Sequence, residues 1–70
     1  MEQIAISTPY IRLDSFLKLC GVSGTGGQSK IMVQAGEIIV DDEVCTMRGK
    51  KLYPGARVCA GGKEFEVVAA

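Results

Sequence analysis

From Glu2 to Ile6 polar and apolar residues alternate, with Ile4 and Ile6 on one face, until Ser7-Thr8-Pro9 breaks the pattern. A period of two predicts a short strand or extended arm. The period then lengthens. Leu13, Phe16, Leu17 and Cys20 fall at i, i+3, i+4 and i+7, the stripe of an amphipathic helix, with Asp14 and Lys18 as an i,i+4 pair on its wet side. Gly21 is placed to end that helix as its C′ residue. Ser23 to Gly27 reads as a flexible connection. Gln28 to Ala35 reads as a second helix, burying Ile31, Met32 and Ala35, carrying Lys30 and Gln34 on its polar face, and closed by Gly36.

Beyond Gly36 the signals are those of strands. Ile38-Ile39-Val40 and Val44-Cys45-Thr46 flank Asp41-Asp42-Glu43, a hairpin turn whose aspartates tolerate the required backbone. Leu52-Tyr53-Pro54-Gly55 has proline at i+1 and glycine at i+2, which suits a type II turn. Arg57 to Ala60 and Glu64 to Val68 form a further hairpin around Gly61-Gly62, with Phe65 and Val67 on one face. The expected class is α+β, with two helices packed on a small, mainly antiparallel β-sheet.

Seventy residues make one domain, residues 1–70, and leave no room for a second. The hydrophobic fraction of 47% and charged fraction of 23% are globular values. Apolar runs are a few residues long, too short to span a bilayer, so no membrane partner is expected. Met1-Glu2-Gln3-Ile4 shows no secretory pattern, which reads as cytoplasmic. The three cysteines, Cys20, Cys45 and Cys59, fit neither a paired disulfide framework nor zinc-ligand spacing, and there is no histidine. They read as free thiols packed as small hydrophobes. Lack of histidine also removes Ser-His and Cys-His nucleophilic pairs, so no catalytic residue, metal or cofactor is expected.

Net charge is zero, yet the charges are segregated. Residues 1–36 carry a net +1, residues 37–43 a net −4 from Glu37, Asp41, Asp42 and Glu43, and residues 44–63 a net +5 from Arg48, Lys50, Lys51, Arg57 and Lys63 without one acid. Screening limits electrostatic reach to about 8 Å at physiological salt, so a local basic face attracts a polyanion although the whole molecule is neutral. The start of the second helix adds exposed N–H groups, the positive end of the helix dipole and glycines that permit close approach. The Gly-x-x-x-x-Gly-Lys-Ser/Thr spacing of a nucleotide-binding P-loop is absent. Tyr10 and Tyr53 are candidates for stacking on unpaired bases.

Four segments together resemble a known family: Arg12-Leu13-Asp14-x-Phe16-Leu17, Gly27-Gln28-Ser29-Lys30, Gln34-Ala35-Gly36-Glu37-Ile38-x-Val40-Asp41, and Lys51-Leu52-x-Pro54-Gly55-x-Arg57-Val58. They are similar to the RNA-binding domain of the ribosomal small-subunit protein S-four type, the alpha-L motif, over residues 8–60. Phe16 to Leu19, Thr25-Gly26-Gly27 and Arg48 to Tyr53 resemble the short free-standing bacterial members. Asp41-Asp42 stands where the family commonly has Asn-Gly, Gly55-Ala56 where it has Gly-Asp, and Ser29-Lys30 where it often has Ser-Arg. Lysine keeps the charge there and lacks the planar fork of arginine.

The resemblance implies an RNA site made by the two helices and the basic stretch that follows. Its residues are Arg12, Lys18, Thr25, Gly26, Gly27, Ser29, Lys30, Arg48, Lys50, Lys51 and Tyr53. It implies a monomeric, non-catalytic protein that recognises structured RNA, ribosomal or transfer, through phosphates and shape, in ribosome assembly or translation. The alternative is a protein-interaction adaptor or homodimer, in which the acidic 37–43 turn of one chain meets the basic 48–51 segment of another.

Overall fold

The computed structural model describes residues 1–70. Strand β1 (Glu2–Ile6) and the two-residue β2 (Ile11–Arg12) precede helices α1 (Leu13–Leu19) and α2 (Gly26–Gln34). Strands β3 (Ile38–Val40), β4 (Glu43–Val44), β5 (Lys51–Leu52), β6 (Arg57–Ala60) and β7 (Lys63–Ala69) follow. Five strands form one sheet in the order β1-β7-β6-β3-β4, antiparallel except for the β1–β7 pair, while β2 and β5 make a separate antiparallel ribbon. The α+β class with two helices on a mainly antiparallel sheet is therefore what the chain forms. No helix is long and apolar enough to cross a membrane.

Helix α1 follows its stripe. Leu13, Phe16 and Leu17 are fully buried, and the Phe16 ring meets Phe65 of β7 edge-on at 6.2 Å, tying helix to sheet. Gly21 takes φ +82° just past the helix, where its N–H reaches the Lys18 carbonyl and that of Val22 the Leu17 carbonyl. That pair of bonds is a Schellman stop, and an L side chain at Gly21 would be strained. Asp14 does not pair with Lys18 as its spacing suggests; its carboxylate lies 3.3 Å from the Arg12 guanidinium instead.

Helix α2 starts earlier than the sequence suggests and buries a different face. Ser29 and Val33 are fully buried, Met32 is half-buried, and Ile31 (69% exposed) and Ala35 face solvent. Apolar residues at 31, 32, 33 and 35 surround the helix, so period alone does not choose the face. A buried serine chooses it. The Ser29 hydroxyl lies within hydrogen-bonding reach of the Ser23 hydroxyl and of the Asp14 and Thr25 carbonyls, so this polar group enters the core with its bonds made.

The hairpins fall where glycine and aspartate put them. Asp41 and Asp42 adopt φ of 50° and 70° between paired Val40 and Glu43, as a two-residue type I′ turn requires. Gly61 and Gly62 make the equivalent turn between Ala60 and Lys63. The Asp turn is one residue tighter than expected, so the fourth strand is Glu43–Val44 rather than Val44 to Thr46. At the proline turn the Ala56 N–H reaches the Tyr53 carbonyl at 3.0 Å, with Gly55 at φ +101°. All three cysteines are free, Cys45 buried and Cys20 and Cys59 half-buried. Burial pushes the Cys20 thiol above its ordinary range.

Candidate nucleic-acid interface

Helix α1 opens without a capping side chain of its own, since its N-cap residue is Arg12. Two of its first orphan donors find partners in the basic segment instead: Leu13 N–H donates to the Lys50 carbonyl at 2.9 Å, and Asp14 N–H to the Arg48 carbonyl at 3.0 Å. A turn closed by Lys50 N–H on the Met47 carbonyl shapes the segment that supplies them. The backbone of residues 48–50 is thereby pinned to the helix, and the Arg48 and Lys50 side chains remain exposed. A Cβ at Gly49 would lie 3.4 Å from the Arg12 guanidinium, ordinary contact with the end of a flexible side chain, so packing does not demand glycine there.

The β2–β5 ribbon adds a second tie. Arg12 and Lys51 are directly opposite, as are Ile11 and Leu52. Leu52 is buried and Ile11 half-buried, which leaves Tyr10, Arg12, Lys51 and Tyr53 on the outer side. The two tyrosine rings lie 5.8 Å apart at 48°, and the Lys51 ammonium sits 4.9 Å from the centre of the Tyr10 ring. Like charges directly opposite on a ribbon disfavour folding. Their pairing here concentrates positive charge on this face.

Helix α2 contributes its start. The Thr25 hydroxyl accepts from Gln28 N–H at 3.1 Å, and the Gln28 side-chain carbonyl accepts from Gly24 N–H at 2.8 Å, a capping-box arrangement displaced by one residue. The Thr25 proton and the N–H groups of Gly26 and Gly27 stay available. A Cβ at Gly26 would meet nothing within 4 Å, so packing does not demand glycine there. What bare glycine provides is access to the helix end. No acidic residue occupies the first turn.

Asp14 joins these parts, because its N–H donates to Arg48 while its carbonyl lies 3.3 Å from the Ser29 hydroxyl. The first turns of the two helices and the basic segment therefore share one region. Arg12, Thr25, Gly26, Gly27, Lys30, Arg48, Lys50, Lys51 and Tyr53 are all exposed. Ser29 is a correction to the sequence reading. Fully buried and bonded within the fold, it positions the two helices and cannot donate to an outside phosphate. Lys18 is exposed one turn beyond Asp14, in the last turn of α1, away from the backbone bonds that tie the start of that helix to residues 48–50.

Tyr10, outside the set of site residues that the resemblance implies and read there only as a stacking candidate, lies on the same exposed face as Lys51 and Tyr53. The alternation Tyr10-Ile11-Arg12-Leu13 set against Lys51-Leu52-Tyr53 carries the signal, two polar-faced runs around an apolar pair. The Arg12–Asp14 contact is the one ion pair of the protein, so the charges of Lys30, Arg48, Lys50 and Lys51 are unneutralised. No group of three or more acidic or cysteine side chains converges to hold a metal ion.

Comparison with known proteins agrees with this geometry. The chain is 42% identical over 66 residues to the "Probable ribosome maturation protein RlbA" of Bacillus subtilis, covering 93% of each. It is 38% identical over 61 residues to the "Putative RNA-binding protein YbcJ" of Escherichia coli, covering 87% of each. The solution structure of YbcJ, described as revealing an alpha-L motif involved in RNA-binding, superposes with a TM-score of 0.75 at 34% identity, covering 99% of this chain and 89% of that one. The S4 domain family matches residues 4–68, and with β1 to β7 nearly all inside that match, the chain belongs to the S4 domain family.

Proposed function

We propose that the protein binds structured RNA, ribosomal or transfer, through its phosphate backbone and shape, in ribosome maturation or translation, with no chemical step. The observation that carries this reading is the backbone clamp at the start of α1, which presents Arg48, Lys50 and Lys51 beside Arg12 and next to the open N–H groups of α2. Fixed cations beside a helix N-terminus suit phosphates held in a set spacing. The relatives support it: one is called a ribosome maturation protein, another an RNA-binding protein with an alpha-L motif.

The test is anisotropy of labelled ribosomal RNA hairpins against a duplex DNA of equal length, repeated across salt concentrations. Three to five phosphate contacts give a log–log salt slope of about −2 to −4. Equal affinity for the DNA, or a flat salt response, overturns the reading. Sedimentation at the same concentrations shows whether one chain or two occupy the complex.

A further inference from the structure

Between the proline turn and the Asp41 turn lies an open cleft of about 360 Å³, lined by Lys50, Lys51, Tyr53, Pro54 and Asp41. At the low end of the size of ligand pockets, it accommodates one base with its sugar rather than a stack of several. Its charges are mixed. Lys50 and Lys51 supply cations, while Asp41 brings a carboxylate whose Oδ1 accepts from Arg57 N–H at 3.0 Å and whose Oδ2 has no partner. A phosphate seated inside would meet that carboxylate, so the sugar-phosphate backbone belongs at the lysines and something that donates hydrogen bonds belongs at Asp41.

Tyr53, 55% exposed, supplies an aromatic wall, and its ring lies 5.8 Å from that of Tyr10, which sits under the Lys51 ammonium. A base stacked on such a wall gains about 1 to 3 kcal/mol whichever base it is. The carboxylate discriminates. The Watson–Crick edge of guanine presents two adjacent donors, N1–H and the N2 amine, to the two oxygens of a carboxylate. Adenine and cytosine each place a ring acceptor beside their single amine, and uracil flanks its N–H with two carbonyls. Oδ1 keeps a lone pair beyond the one used by Arg57 N–H, so both oxygens can accept.

We infer that the Asp41–Tyr53 cleft takes an unpaired guanine of the bound RNA, stacked on Tyr53 and held by the Asp41 carboxylate, with its flanking phosphates on Lys50 and Lys51. This rests on the RNA reading above and adds a base preference to it. Shape and phosphates then set where the protein sits, and a single extruded base sets the register.

The experiment uses hairpin RNAs with one stem and a uridine loop, either unchanged or carrying one central guanine, inosine or adenine, titrated with the whole chain. The guanine loop binds about tenfold more tightly than the adenine loop, as a bidentate contact gives, and inosine, which lacks the N2 amine, falls between. Asp41→Asn keeps an Oδ1 acceptor and a residue that tolerates φ of 50°, and it lowers the guanine preference to within about twofold while binding of the uridine loop holds or strengthens. Equal affinity of the parent for all loops overturns the guanine site and leaves the RNA reading standing. The same follows if Asp41→Asn, folded by its thermal melt, keeps the preference. If the variant does not fold, the guanine, inosine and adenine ranking of the parent decides. Failure of every hairpin to bind overturns both readings.

Discussion

Replacing Lys51 with glutamate perturbs binding and folding through separate terms, and the structure sets the size of each. On the folding side, the ammonium loses its place over the Tyr10 ring at 4.9 Å, an exposed cation–π contact of about 0.5 to 1 kcal/mol. Against that, Lys51 faces Arg12 directly across the β2–β5 ribbon, and reversing its charge turns a like-charge pair into an opposite one, a gain of about 0.2 to 1 kcal/mol. The two oppose each other, so stability changes by no more than about 0.8 kcal/mol, or about 3 to 6 °C in a domain of this size. On the binding side nothing cancels. An attraction to phosphate is removed and a repulsion is added, so RNA affinity falls at least about tenfold at physiological salt, near 1.4 kcal/mol. Thermal melts and RNA titrations of parent and variant measure both. A variant that melts with the parent and binds with unchanged affinity refutes the placement of RNA on this ribbon. A loss of 2 kcal/mol or more of stability, a rough bound beyond either contact, refutes the description of the ribbon face as an exposed surface.

Other expectations concern the frame that holds the site. Phe16→Ala removes a fully buried ring packed edge-on against Phe65 and costs about 3 to 5 kcal/mol, read as loss of the cooperative thermal transition; a melt within a few degrees of the parent would show that the ring is dispensable. Ser29→Ala leaves the buried Ser23 hydroxyl without its partner and releases the Asp14 carbonyl, a loss of about 1 to 3 kcal/mol by urea titration, and unchanged stability would deny Ser29 its positioning role. Asp42→Gly relieves an L residue at φ of 70° and raises stability by about 0.5 to 1 kcal/mol in the same titration, whereas a decrease would show the Asp42 side chain to be needed.

Helix α1 was legible because Leu13, Phe16 and Leu17 mark one face and Gly21 marks the stop, local signals that tertiary packing merely completes. The turns at Asp41-Asp42, Pro54-Gly55 and Gly61-Gly62 were legible for the same reason: each needs a backbone conformation that few residues adopt. The face of α2 was not, since its deciding residue is a serine, and a serine enters a core only when partners far along the chain, here Asp14 and Ser23, satisfy it. The β2–β5 ribbon escaped notice because two residues per strand are too few for a period to show. In the candidate site the basic stretch 44–63 could be read from charge order, and the other cations only through the family resemblance. The tie that fixes their position could not be read, because main-chain carbonyls of Arg48 and Lys50 make it, and a carbonyl has no sequence signature.

The parallel pairing of β1 with β7 brings Glu2 beside Phe65 and Ile6 beside Ala69. During synthesis the first strand therefore waits for the last. Helix α1 and the β3–β4 hairpin close over short stretches as they emerge, but Ile6, a member of the core, has no neighbour on the sheet until β7 is complete. Contacts of such separation are slow to form, since the intervening chain must be ordered before they stabilise anything. A growing chain thus holds a nearly finished helical half alongside an unpaired strand, and the surface around α1 is assembled before the sheet behind it is sealed.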